Sequence, residues 1–81
     1  MTQQEIQSKV NAFMVDRLEY ELNKLMPESE LKRDLGMTSL DAVEMTIFIK
    51  RTFGFQPERN AVKTLLTLQD LCDYIAKNTD K

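Results

Sequence analysis

The sequence predicts an all-α protein, a four-helix bundle with three main helices and one short third helix, in a single domain over residues 1–81. Apolar residues recur at helical spacing in three segments, and two glycines and two prolines are the only strong breaks. No segment alternates apolar and polar residues as a half-buried strand does. With 81 residues, 42% of them apolar, the chain can form one modest core but not a deep substrate cavity as well. We therefore expect no enzymatic activity.

The first helix is predicted from an apolar stripe near the start of the chain. Its members are Ile6, Val10, Phe13, Met14 and Leu18, and Leu22 and Leu25 extend it. Because a residue before proline is disfavoured in the α region, we expect this helix to end just before Pro27. In the polar stretch 27–36 that follows, Leu31 and Leu35 are expected to hold the loop on the core.

The second helix is predicted to begin at Thr38 or Ser39 and to end at Phe53. Thr38 and Asp41 have the spacing of a capping box, and Gly54 suits the end of the helix. After Pro57, a short helical turn is expected over residues 61–65. The pair Thr67 and Asp70 repeats the capping spacing and opens a last helix, whose core face contains Leu68, Leu71, Cys72 and Ile75.

The second helix has two apolar faces. The predicted core face contains Ala42, Met45, Thr46, Ile49 and Phe53, whereas Leu40, Val43 and Ile47 lie on the opposite face, flanked by Glu44 and Arg51. A bundle of this size cannot bury both faces. We interpret the second face as a surface for partner proteins, because clustered exposed apolar side chains with a charged rim are typical of such sites. The alternative is that the long loop covers it.

Composition excludes several classes of function. The chain lacks histidine and has one cysteine, so it lacks the commonest general base and metal ligand and cannot form an internal disulfide. We expect no metal site and a cytoplasmic location. Mixed charges with a net charge of −2 do not favour nucleic-acid binding. No apolar run approaches a membrane span, so we expect no membrane association, and we expect a monomer.

Ser39 is the candidate for covalent chemistry. A serine at a helix N-terminus is exposed, and the free backbone N–H groups and the helix dipole there favour a phosphate. The simpler interpretation is that Ser39 only caps the helix, a role that serine often fills.

The residues around Ser39 resemble the prosthetic-group site and second helix of the acyl carrier protein family. The resemblance is carried by Leu31-x-x-Asp34-Leu35-Gly36-x-x-Ser39-Leu40-Asp41 and then Val43-Glu44. It implies that Ser39 receives 4′-phosphopantetheine from coenzyme A through a phosphodiester bond, and that the thiol of this arm holds an acyl group as a thioester. Thr38 and Asp41 would cap and orient the helix. The implied partners are a phosphopantetheinyl transferase and acyl-transferring and chain-extending enzymes, which would contact Leu40, Val43, Glu44, Ile47 and Arg51.

Two departures from the family pattern make the prediction more specific. Thr38 stands where the family usually has an acid, and the segment 39–53 is formally neutral because Lys50 and Arg51 balance Asp41 and Glu44. Since charge complementarity governs partner choice, we expect a specialised fatty acid or polyketide pathway. Two alternatives remain open at this point: an aminoacyl or peptidyl carrier, and an unmodified helical protein-interaction module.

Overall fold

The computed structural model describes residues 2–79, and four α-helices surround the core in this part of the chain. They are α1 (Gln3–Asp16), α2 (Ser39–Phe53), α3 (Ala61–Thr64) and α4 (Leu68–Thr79), and a 3₁₀ turn lies at Leu22–Lys24. Within residues 2–79 there is no β-strand, only an isolated bridge between Glu30 and Thr67. The prediction of an all-α fold with a short third helix is confirmed.

The first helix is shorter than predicted. It ends at Asp16, not just before Pro27, and the chain reverses at Glu19, whose φ is 61°. The Tyr20 N–H then donates to the Met14 carbonyl at 3.0 Å. Leu22 is consequently exposed, and Leu25 enters the core from the 3₁₀ turn instead of from α1. The prediction was wrong because the tertiary contacts of the segment between α1 and α2 contribute more to stability than the continued helix that the spacing of two leucines suggests.

The predicted end of α2 and the predicted start of α4 are confirmed. Gly54 ends α2 with φ 81°, a left-handed conformation that favours glycine, and its N–H donates to the Lys50 carbonyl at 3.1 Å. At the start of α4, the Thr67 and Asp70 side chains each accept a hydrogen bond at 3.1 Å from the other residue's backbone N–H. Both caps satisfy backbone groups that a helix leaves free.

The core lies between α1, α2 and α4. Its fully buried side chains come from all three helices and include Ile6, Val10, Met14, Met45, Ile49, Leu68, Leu71 and Ile75. Leu31 is also buried in this core and Leu35 packs against it, as predicted for the loop. The loop is further held by the Leu31 N–H, which donates to the Leu66 carbonyl at 2.8 Å, and by the Leu68 N–H, which donates to the Ser29 carbonyl at 2.9 Å. These contacts place the end of the loop, and with it the start of α2.

Cys72 is a core side chain, as predicted, and it makes stability depend on pH. Burial, with a smaller effect of Asp73, raises the pKa of the thiol from 9.0 to about 11. The native state therefore favours the neutral thiol, so its contribution is complete below pH 9.0 and is lost as pH rises through about 11. We expect wild type to lose about 1–2 kcal/mol more of its free energy of unfolding than Cys72→Ala over this interval. Urea unfolding followed by circular dichroism at a series of pH values measures the difference, and parallel pH profiles would contradict the prediction.

None of the helices between residues 2 and 79 combines the length and apolar character needed to cross a bilayer.

Candidate functional site

The predicted site lies where the long loop enters α2. Gly36 has φ 70°, which glycine adopts without steric cost, and the next residue, Met37, is buried and donates its N–H to the Leu31 carbonyl at 2.8 Å. The buried residue immediately before the exposed Thr38 and Ser39 anchors the start of α2 to the core. The site therefore has a rigid base beneath exposed hydroxyl groups.

Thr38, not Ser39, caps α2. The Thr38 hydroxyl accepts from the Asp41 N–H at 3.1 Å, and the Asp41 carboxylate accepts from the Thr38 N–H at 3.3 Å. This reciprocal pair is the capping box predicted from the spacing. Ser39 occupies the first helical position, is exposed, and its hydroxyl makes no hydrogen bond to any residue between 2 and 79. The Ser39 hydroxyl is thus free for chemistry.

Tyr20 completes the site, and the sequence interpretation missed it. Its hydroxyl donates to Asp41 Oδ2 at 2.9 Å, which links the turn after α1 to the first turn of α2. Burial, followed by the hydrogen bond and charge of Asp41, raises the pKa of Tyr20 well above its usual value. The contact spans 21 residues along the chain and depends on the reversal at Glu19, so no local pattern indicates it.

Removing the Tyr20 hydroxyl should loosen this link. We expect Tyr20→Phe to lower the free energy of unfolding by about 1 kcal/mol, because a half-buried hydrogen bond to a carboxylate is lost. Urea unfolding measures the change. In an Asp41→Ala background the same substitution should cost much less, and an equal cost in both backgrounds would show that the hydrogen bond is not responsible.

The second apolar face of α2 is exposed. Leu40, Val43 and Ile47 are 68%, 51% and 50% exposed, whereas Met45 and Ile49 on the opposite face are fully buried. The long loop does not cover the exposed residues. Glu44 and Arg51 are also exposed on α2, so the structure brings together the five predicted surface residues on the helix that begins at Ser39.

The side chains available for other chemistry are few. Within residues 2–79 no three histidine, cysteine or acidic residues lie close enough together to hold a metal ion. The hydroxyl of Ser39, the capped helix start and the adjacent apolar face are the features of this site.

Comparison with known proteins defines the class of protein. The family model described as a phosphopantetheine attachment site matches residues 8–75, most of the chain. Among curated proteins, the acyl carrier protein of Thermosynechococcus vestitus is 36% identical over 75 residues, covering 93% of each chain. The acyl carrier protein of Cyanidioschyzon merolae is 31% identical over 78 residues, covering 96% of this chain and 86% of the relative. That of Onion yellows phytoplasma is 31% identical over 71 residues, covering 88% and 93%.

The chain belongs to the acyl carrier protein family. Members of this family are carriers and not catalysts, and their cofactor is a covalently attached 4′-phosphopantetheine. They interact with phosphopantetheinyl transferases and with acyl-handling enzymes. The predicted cofactor and the predicted absence of enzymatic activity are confirmed by this membership.

Proposed function

We propose that Ser39 is the attachment residue for 4′-phosphopantetheine and that the chain, acting as a single carrier domain, carries acyl intermediates as thioesters on this arm. The observation that carries the proposal is the free, exposed hydroxyl of Ser39 at the first position of α2, where Thr38 already provides the cap. A phosphodiester at this position would lie beside the unpaired N–H groups and positive end of the helix, which favour negative charge.

The attachment needs only one group from the chain. In the transfer from coenzyme A, a bond forms between Ser39 Oγ and the phosphorus that bears pantetheine, and the bond from that phosphorus to the oxygen of the departing 3′,5′-ADP breaks. The hydroxyl proton leaves Ser39 to a base of the transferase or to solvent. The arm then supplies the thiol that bears the cargo, so a chain without histidine can hold activated acyl groups.

The attachment is tested by incubating the protein with coenzyme A and a promiscuous phosphopantetheinyl transferase. We expect the intact mass to increase by one 4′-phosphopantetheine group. Trypsin should then release the modification on the fragment 34–50, which lies between Arg33 and the cleavage after Lys50 and contains Ser39. No mass increase with several transferases, or a modification on another fragment, would contradict the proposal.

We further propose that the partners differ from enzymes adapted to an acidic second helix. The support is the charge of α2, whose last turn contains Lys50 and Arg51 while its first turn contains only Asp41 as an acid. Partners of this carrier would offer an apolar groove for Leu40, Val43 and Ile47. They would also place an acid near Arg51. A specialised fatty acid or polyketide pathway fits this surface, and we place that pathway in the cytoplasm as part of the proposal.

Charge reversal at Arg51 tests the partner preference. We expect Arg51→Glu to increase activity with a housekeeping ketosynthase by about 2- to 10-fold, because complementary charge raises the rate of encounter. Lys32→Glu makes the same change of charge on an exposed loop residue and is the control. Equal activities of wild type and Arg51→Glu would count against the proposed charge preference.

The two alternatives from the sequence are separable by experiment. An aminoacyl or peptidyl carrier would be modified at the same serine but loaded by an adenylating enzyme, so the cargo trapped on the arm identifies it. An unmodified interaction module would show no mass increase with any transferase.

A further inference from the structure

A groove of about 380 Å³ lies between α1 and α2, beside the proposed partner surface. Phe13 and Phe48 both line it, and their rings stack on each other with centroids 4.2 Å apart and an angle of 17° between their planes. Both rings are only half-buried. Ile47, on the exposed face of α2, also lines the groove, so the groove and that face are continuous.

The two arginines of the groove lie at opposite ends of the aromatic pair. Tyr20 stays at the C-terminal end of α1, because its N–H donates to the Met14 carbonyl at 3.0 Å, and its hydroxyl meets Asp41 in the first turn of α2. Phe13, earlier in α1, meets Phe48, later in α2. The two segments therefore run antiparallel. Arg17 follows Phe13 by four residues and so lies nearer the start of α2, and Arg51 follows Phe48 by three residues and so lies nearer its end.

The groove carries a net positive charge. Arg17 and Arg51 are exposed, and among residues 2–79 neither forms an ion pair, since the ion pairs there are Lys24–Glu21 and Arg33–Glu30. Glu44 is the one acid that lines the groove, and by the antiparallel arrangement it lies toward the Arg17 end. The Arg51 end is consequently the more positive.

We propose that this groove is a docking site for an amphipathic helix of a partner enzyme, with acidic residues at positions i and i+7 and apolar residues at i+3 and i+4. Arg17 lies about one turn from Phe13, and Arg51 about one turn from Phe48, which separates the backbone positions of the two arginines by about 10 Å along the groove. Residues seven apart on a helix are separated by about the same distance. The apolar residues between the two acids would lie on the aromatic pair, an arrangement of apolar centre and charged rim typical of protein interfaces.

The assignment of this helix to a partner enzyme rests on the proposed carrier function, but the binding itself does not need the prosthetic group. The probe is therefore a short alanine-based helical peptide with Glu at i and i+7 and Leu at i+3 and i+4. A matched peptide carries Lys in place of both Glu residues. Each is titrated into the isotope-labelled protein, without prosthetic group, while the amide resonances are followed by nuclear magnetic resonance.

We expect the Glu peptide to shift the resonances of Phe13, Arg17, Phe48 and Arg51 and the Lys peptide to bind more weakly. Arg17→Ala and Arg51→Ala should each lower the affinity for the Glu peptide by about 2- to 5-fold, which is the range for exposed ion pairs. The larger effect is expected at Arg51. Lys32→Ala, outside the groove, should have no effect.

Three results would overturn the docking proposal. They are equal binding of the two peptides, no groove-centred shifts into the millimolar range, and concentration-dependent shifts of the same resonances without peptide, which would assign the groove to a second copy of this chain. Because the titration uses protein without the prosthetic group, failure of attachment at Ser39 would leave the binding of the Glu peptide unchanged, and the two failures are distinguishable.

Discussion

Replacing Ser39 with alanine is expected to abolish the addition of 4′-phosphopantetheine and to leave the free energy of unfolding within about 0.5 kcal/mol of wild type. The Ser39 hydroxyl is exposed, and within residues 2–79 it makes no hydrogen bond, so its removal breaks no hydrogen bond there. Intact mass after incubation with coenzyme A and a transferase measures modification, and urea unfolding measures stability.

Thr38→Ala is the matched control because it alters the neighbouring hydroxyl. It removes the cap of α2 and should lower the free energy of unfolding by about 1 kcal/mol. Ser39 should nevertheless still be modified in this variant, provided the measurement is made where the protein is folded. A mass increase in Ser39→Ala would contradict Ser39 as the attachment residue. A loss of stability in Ser39→Ala equal to that in Thr38→Ala would contradict Thr38 as the residue that alone caps α2.

Ile49→Ala is expected to destabilise the protein by about 2–5 kcal/mol, a large part of the stability of a small domain. Ile49 is fully buried in α2, so truncation leaves a cavity that its neighbours fill only in part. Urea or thermal unfolding followed by circular dichroism measures the loss.

Ile47→Ala is the matched control, with the same residue type two positions away on the same helix. Ile47 is 50% exposed, so its truncation should cost less than about 1 kcal/mol while weakening the binding of partner enzymes. A loss of stability in Ile47→Ala comparable to that in Ile49→Ala, with partner binding intact, would show that the exposed face of α2 has a structural role.

The two ends of α2 and the start of α4 were predictable because the sequence patterns that indicate them are local. The capping pairs of α2 and α4 depend on residues three positions apart, and Gly54 ends α2 through its own backbone conformation. The two faces of α2 follow from helical geometry alone, and they lie where the sequence predicted them: Ile49 in the core and Ile47 at the surface.

The end of α1 was not predictable because it depends on distant residues. Leu22 and Leu25 continue the helical spacing, yet the chain turns at Glu19 so that Leu25 reaches the core and Tyr20 reaches Asp41. Both contacts join residues that are too far apart in the sequence for a local pattern to indicate them. The energy that ends α1 comes from packing and hydrogen bonding across the fold.

The sequence by itself determined the helical class, the capped start of α2 and the placement of Ser39 beside an apolar face, because these depend on residue types at short, fixed spacings. Only the tertiary structure decided that the Ser39 hydroxyl has no hydrogen-bond partner within residues 2–79, that Tyr20 holds Asp41, and that the stacked rings of Phe13 and Phe48 line a groove together with two arginines. A sequence lists which side chains are near one another along the chain. The turn after α1 and the packing of α1 on α2 determine which of them meet in space.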